Sequence, residues 1–302
     1  MQTFYSHGKL LLTGEYLVLD GALALALPTK YGQTLTIEPN DEKLIKWKSI
    51  DNDGKTWFED SFALEDIITS SSKTINDISI RLVSILNAAK QLNPDFLNNN
   101  KGYNITRALE FPKNWGLGSS STLINNIANL ANVDAYKLLK LTFGGSGYDI
   151  ACAQNNTAIT YKICNKESII SNIEFSPKFK EHLYFVYLNK KQNSREGIAA
   201  YKQQKVSNET ITEISEITKL ITNCNTLNDF CFLIEKHESI ISKTIKQKPI
   251  KELLFKDFKG SVKSLGAWGG DFILAASKDN PEAYFKAKGY NTILTYNDMI
   301  LN

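Results

Sequence analysis

Pro112-Lys113-Asn114-Trp115-Gly116-Leu117-Gly118-Ser119-Ser120-Ser121-Thr122 is the stretch on which the reading of this chain turns. It follows a strand-like run at Tyr103 to Glu110 and leads into Leu123, Ile127 and Leu130, which are spaced for one face of a helix. Glycines let a backbone approach a phosphate closely. A helix start adds N–H groups without intrahelical partners and the positive end of the helix dipole. The hydroxyls can bond phosphate oxygens or ligate Mg²⁺. The plainer alternative is a serine N-cap after a glycine turn. No Gly-Lys-Ser/Thr follows, so this is not a Walker A loop, and Ser121 stands where G-x-G-x-x-G requires Gly or Ala.

Upstream, Leu10 to Leu12, Tyr16 to Leu19, Ala22 to Leu27 and Gln33 to Glu38 read as short strands punctuated by Gly14, Gly21, Pro28 and Gly32. Leu44 to Ile50 and Thr56 to Phe62 flank Asp51-Asn52-Asp53-Gly54-Lys55, a hairpin pattern. Ile78, Leu82, Ile85, Leu86 and Ala89 share a helix face, with Asn76 or Asp77 as the cap, and Asn98-Asn99-Asn100 is a polar break. Downstream, a helix is expected from Asp134 to Leu141 and a strand from Thr157 to Ile163. The polar segment Asn165 to Glu181 is expected to mark a boundary between domains 1–175 and 176–302. The second half then reads as a strand at Leu183 to Leu188, helices from Arg195, Glu209 and Leu227, a strand at Phe272 to Ala276, a short helix opened by Pro281, and a strand at Thr292 to Tyr296. Mixed helix and strand without strict alternation predict an α+β class.

Composition narrows the function. The 302 residues suit two domains, and 42% hydrophobic with 22% charged residues is ordinary for a globular protein. A formal charge of +3, from 35 basic and 32 acidic residues, gives no reason to expect nucleic acid or an anionic membrane as partner. It fits a small anionic substrate in one local basic site. Cys152, Cys164, Cys224 and Cys231 form no C-x-x-C pair and no histidine lies at ligand spacing, which argues against zinc and for reduced thiols in the cytoplasm. Glu15 and Asp20 interrupt the apolar N-terminal stretch, so a signal peptide is not expected, nor is a spanning helix.

Further loops carry candidate chemistry. In Gly144-Gly145-Ser146-Gly147-Tyr148-Asp149, Asp149 is either a helix N-cap or a carboxylate facing a substrate hydroxyl. Gly266-Ala267-Trp268-Gly269-Gly270-Asp271 is a tight turn or a substrate loop, and Lys9 follows His7-Gly8.

Taken in order, these motifs resemble the GHMP kinase superfamily. Gly8-Lys9-Leu10-Leu11-Leu12-Thr13-Gly14-Glu15-Tyr16 is similar to its N-terminal motif, and Pro112 to Ser120 to its Pro-x-x-x-Gly-Leu-Gly-Ser-Ser phosphate loop. Ser146-Gly147-Tyr148-Asp149 resembles its Ser-Gly-x-Asp segment, and Leu265 to Asp271 its last glycine loop. The wording is nearest to phosphomevalonate and mevalonate kinases. The resemblance implies a ribosomal-protein-S5-domain-2-like N-terminal domain and a ferredoxin-like C-terminal domain. It also implies ATP and Mg²⁺ as cofactors, a monomer or homodimer, and an isoprenoid-precursor acceptor. By the same resemblance, Asp149 and Lys9 are catalytic, and Gly116, Leu117, Gly118, Ser119, Ser120 and Ser121 bind ATP phosphates. Ser120 also meets the metal, while Ser146, Gly147, Gly266, Ala267, Gly269 and Gly270 line the substrate or phosphates. The chain departs from mevalonate kinase in having no carboxylate in Tyr136-Lys137-Leu138-Leu139-Lys140, where a metal-binding Glu is expected. It also carries Trp115 and Trp268 at normally small positions. Trp115 could stack on a nucleotide base or simply pack. A diphosphomevalonate decarboxylase and a ligand-binding relative with weak or no kinase activity are the alternative readings.

Overall fold

The computed structural model describes residues 1–69, 76–98 and 101–301; Asn99 and Asn100 of the expected polar break lie outside them. The chain divides into two compact units. One comprises Met1–Gly8, Tyr31–Lys113 and Gly118–Gln154; the other comprises Lys9–Lys30, Asn114–Leu117 and Asn155–Asn302. Lys9–Lys30 and the chain from Asn155 group with the C-terminal part.

β1 (Gln2–Thr13) pairs with β2 (Ala24–Asn40). The runs expected separately at Ala22 to Leu27 and Gln33 to Glu38 are thus one strand. Pro28 does not break it, because β2 changes ladder there: Gln33–Asn40 pair on one side of the proline and Ala24–Ala26 on the other. Gly32 continues the strand because a Cβ would overlap the Tyr5 ring and the Ser6 carbonyl. The strand expected at Tyr16 to Leu19 is instead a 3₁₀ turn, Leu17–Asp20, closed by left-handed Gly21 (φ 88°) with Leu17 and Val18 buried.

In the first unit, β3 (Leu44–Ile50) and β4 (Thr56–Ala63) form the expected hairpin. Asp51 N–H donates to the Lys55 carbonyl (2.9 Å), and Gly54 takes a positive φ of 79°. α1 (Leu64–Thr69) and α2 (Asp77–Leu92) follow, and the Asn76 side chain caps α2 by accepting from Ile78 N–H. β5 (Gly102–Leu109) runs antiparallel to β2 and parallel to β3, giving the order β4-β3-β5-β2. α3 (Ser119–Ala131), α4 (Ala135–Thr142, capped by Asp134) and α5 (Tyr148–Ala153) complete the unit. Leu35, Ile37, Ile45, Trp47 and Ile105 from the sheet meet Leu82, Ile85, Leu86, Ile124, Ile127 and Ile150 from the helices in one buried core.

In the second unit, Ala24–Ala26 of β2 pair with β6 (Ile159–Cys164), which turns through left-handed Asn165 and Lys166 into β7 (Glu167–Asn172). β7 thus occupies part of the polar segment Asn165 to Glu181. β8 (Leu183–Tyr187) leads to α6 (Ser194–Tyr201), α7 (Asn208–Thr222), α8 (Leu227–Ile245) and α9 (Ile250–Leu254). β9 (Ser261–Ser264), β10 (Phe272–Ala276), α10 (Glu282–Ala287), β11 (Ile293–Thr295) and α11 (Tyr296–Met299) follow. The antiparallel order β11-β8-β10-β9, with helices after β8 and after β10, is the ferredoxin-like βαββαβ arrangement. No helix among the described residues is long and apolar enough to cross a membrane.

Candidate active site

The start of α3 has no side-chain cap. Gly118 occupies the N-cap in the left-handed region (φ 89°, ψ 34°) and supplies no side-chain acceptor. The first helical bond runs from Thr122 N–H to the Gly118 carbonyl (3.0 Å), so the preceding N–H groups have no partner within the helix ladder. Ser121 and Thr122 turn their hydroxyls back to the Gly118 carbonyl, at 2.8 and 3.2 Å. Ser120 is exposed. An exposed hydroxyl over open N–H groups fits phosphate oxygens and one position of a Mg²⁺ shell, which otherwise retains waters. Among the described residues no group of three or more His, Cys, Asp or Glu side chains is placed to hold a metal ion.

Two side chains under this turn were not singled out from sequence. Arg107 Nη2 and Gln33 Nε2 each donate to the Ser119 carbonyl at 3.2 Å, while Arg107 Nε also donates to Gln33 Oε1. Burial lowers the Arg107 guanidinium to about 10, which leaves it charged at neutral pH. The signal was present in the sequence. Arg107 falls at the inward position of β5 between Ile105 and Leu109, and Gln33 shares that face of β2. A buried cation in an apolar register needs a polar partner.

Asp149 lies in the first turn of α5, half-buried, and Gly147 (φ 90°) rather than Asp149 is the N-cap. The capping alternative for Asp149 is therefore excluded. α5 packs on α3, and Gln154 Nε2 donates to Asn125 Oδ1 (3.0 Å) between them. Within the first unit, Gly118–Ser121 and Ser146–Asp149 thus sit on packed neighbours.

The second unit gathers the remaining candidates. Lys9 N–H donates to the Leu117 carbonyl (2.9 Å), which joins β1 to the residues just before Gly118. Gly116 and Gly269 need positive φ, 71° and 90°. Trp115 packs against Tyr187 (6.4 Å between ring centroids) and edge-on to Phe272 (5.3 Å), and the Tyr187 hydroxyl donates to the Asn114 carbonyl (3.2 Å). Trp268 is a core residue. It is buried with Tyr16, Tyr201, Ile214 and Ile241, and its backbone N–H donates to the Tyr16 hydroxyl at 3.2 Å. Its bulk at a normally small position is absorbed by this core.

A buried polar cluster anchors the segment that follows Lys9. Lys263 Nζ donates to Glu15 Oε1 and to the Ser264 carbonyl (2.9 Å), His237 Nε2 accepts from Gly14 N–H (3.0 Å), and Ser264 Oγ donates to Glu238 Oε1 (2.7 Å). Burial pushes Glu238 up to about 7, opposed by Lys263 and by the Ser264 hydrogen bonds. A raised carboxyl contributes stability below its unfolded value near 4.5 and loses it as pH rises through the folded value. One pH unit corresponds to about 1.4 kcal/mol, so the loss is on the order of 3 kcal/mol. Glu238→Gln keeps an acceptor for Ser264 and removes the titration. Denaturation at several pH values should find the variant more stable than the parent above pH 7, with the gap closing toward pH 5. A constant gap would remove Glu238 as its cause.

No family profile matches the chain, and no curated protein does either. Solved structures do. The Methanococcus jannaschii mevalonate kinase superposes with TM-score 0.69 at 18% identity, covering 97% of this chain and 96% of that one. The Streptococcus pneumoniae phosphomevalonate kinase, in complex with phosphomevalonate and AMPPNP, gives 0.70 at 17% over 98% and 100%. The Lactococcus lactis galactokinase complexed with galactose gives 0.70 at 15% over 99% and 93%. The chain has the GHMP kinase fold. These neighbours differ in the substrates they are named for, so the fold leaves the acceptor open.

Proposed function

We propose that this protein is an ATP-dependent phosphotransferase acting on a small alcohol or phosphomonoester, with mevalonate and phosphomevalonate as the first candidates. The observation that carries this reading is the start of α3: a glycine-capped helix N-terminus with open N–H groups and an exposed Ser120 hydroxyl, on a helix packed against the one bearing Asp149. Phosphoryl transfer asks a protein for charge neutralisation and in-line positioning more than for covalent chemistry. The N–H groups of Ser119 to Ser121 would hold phosphate oxygens, and Arg107 and Gln33 fix the Ser119 carbonyl so that the turn does not relax. Asp149 would accept the proton of an attacking hydroxyl, and Lys9 would stabilise charge on the transferred group. Ser120 would hold Mg²⁺ together with phosphate oxygens and water; when bound, that ion neutralises charge between the phosphates. α4 carries no carboxylate toward this role. The glycines of the Ser146-Gly147 and Gly266 to Gly270 turns would leave room for the acceptor and its phosphates.

A coupled ADP-release assay with mevalonate, phosphomevalonate, galactose and homoserine tests the reading. Turnover with one acceptor well above the others is expected. ATP binding without ADP release on any acceptor would replace the kinase with a binding protein, and carbon dioxide release coupled to ATP turnover would replace it with a decarboxylase.

A further inference from the structure

Asp271 has no role in the reading above, yet two segments of the second unit, residues 188–192 and the Gly116 turn, converge on it. Its backbone sits in the left-handed region (φ 53°), which costs a non-glycine residue free energy and marks a position fixed by its surroundings. Its N–H donates to the Lys190 carbonyl (2.7 Å), its carbonyl accepts from Leu188 N–H (2.9 Å), and its Oδ1 accepts from Gln192 N–H (3.1 Å). The carboxylate rests on the bare Cα of Gly116. A Cβ there would lie 2.8 Å from Oδ1 and closer to the other carboxylate atoms. Gly116 thus needs to be glycine on two grounds, its positive φ and this contact.

Charge around the group is equally specific. Burial raises the Asp271 carboxyl, opposed first by the Gln192 hydrogen bond and then by the charges of Lys9 and Lys191, and Tyr16 and Tyr187 feel its field. Lys9 is also tied by its own N–H to Leu117, one residue beyond Gly116. A single carboxylate therefore touches the turn before α3 and shares a field with the lysine expected to stabilise the transferred phosphoryl group.

We propose that Asp271 is a positioning residue: by contact it fixes the Gly116 turn to which the Lys9 backbone is bonded one residue on, and its charge helps to place the Lys9 ammonium. This rests on the kinase reading only for its effect on turnover; the link between Asp271 and Lys9 stands apart from it.

Asp271→Asn is the informative variant. Asparagine tolerates the left-handed backbone and can still accept from Gln192 N–H, so the fold should hold while the charge is lost. Two measurements are made on the full chain. The first is acylation of Lys9 by acetic anhydride at pH 8, read by mass spectrometry relative to exposed Lys278. Loss of the counter-charge should raise the Lys9 rate about three- to tenfold, because a nearby carboxylate favours the unreactive ammonium form. The second is steady-state turnover, where kcat should fall at least about tenfold with the KM for ATP changed less than about threefold. Asp271→Ala, which also loses the Gln192 bond, should impair both parameters.

Unchanged Lys9 labelling in folded D271N would overturn the proposal, and so would wild-type kcat. If the parent protein releases no ADP with any acceptor, the kinase reading fails, while the labelling result still decides whether Asp271 controls Lys9. If D271N does not fold, Gly116→Ala, which pushes on the same carboxylate, is read by the same labelling. A Lys9 rate equal to the parent's would again overturn the proposal.

Discussion

Asp149→Asn should lower kcat with mevalonate by about 10²- to 10⁴-fold and with phosphomevalonate by about tenfold or less. The difference follows from the acceptors. A hydroxyl must lose its proton as it attacks phosphorus, and a half-buried carboxylate in the first turn of α5 can take it. A phosphomonoester is already anionic, so there the carboxylate only positions. Gly147 and not Asp149 caps the helix, and asparagine preserves the shape of the side chain. Thermal denaturation should find the variant's midpoint close to the parent's, since the lost charge–dipole contribution is about 0.3–1 kcal/mol. Equal losses on both acceptors would remove the proton-transfer role. Activity close to the parent's on both would remove Asp149 from the site.

How far the sequence carried the fold depended on whether local chemistry or distant partners decided each element. Asn76 and Asp134 cap the helices they were expected to open, and the hairpin at Asp51 to Lys55 forms, because caps and turns depend on neighbours a few residues away. β2 was legible only in pieces, because Pro28 reads as a breaker until one knows that the strand changes ladders there. The turn at Leu17–Asp20 resembled a strand because its buried apolar residues alternate with nothing that reveals a 3₁₀ backbone. The candidate site divides in the same way. Gly118 and Ser120 announced themselves as a local motif. Arg107, Gln33 and Asp271 did not, since each matters through a contact with a segment far off in sequence. Trp268 reads as an intrusion into a glycine loop, whereas its partners Tyr16 and Tyr201 make it part of the core.

The largest stability effect should come from Lys263→Met, which should destabilise the protein by about 3–5 kcal/mol at pH 8. Lys263 and Glu15 are 0% and 1% exposed and bonded to each other, 248 positions apart in sequence. Burial raises the Glu15 carboxyl, and Lys263 is the main group opposing that rise. Removing the lysine leaves a buried carboxylate with His237 at 3.4 Å as its nearest basic neighbour. Burial, the main cause that holds His237 well below its usual value, remains in the variant and disfavours a charged partner for Glu15. Glu15 must then either stay charged without a partner or take up a proton against the pH. The second route fixes the sign of the pH dependence. A group whose folded pKa is raised loses stability as pH climbs, so the deficit of K263M should shrink on acidification from pH 8 toward pH 5.5. Adding Glu15→Gln should recover part of it at pH 8, because the uncompensated charge is gone. A double variant no more stable than K263M at pH 8 would show that the cost lies in lost packing of the lysine stem, not in the stranded carboxylate. The segment held by this pair begins immediately after Lys9 and Leu10 to Thr13. A destabilised but folded K263M should therefore also lose turnover, through loosening of Lys9, whose N–H is bonded to the Leu117 carbonyl.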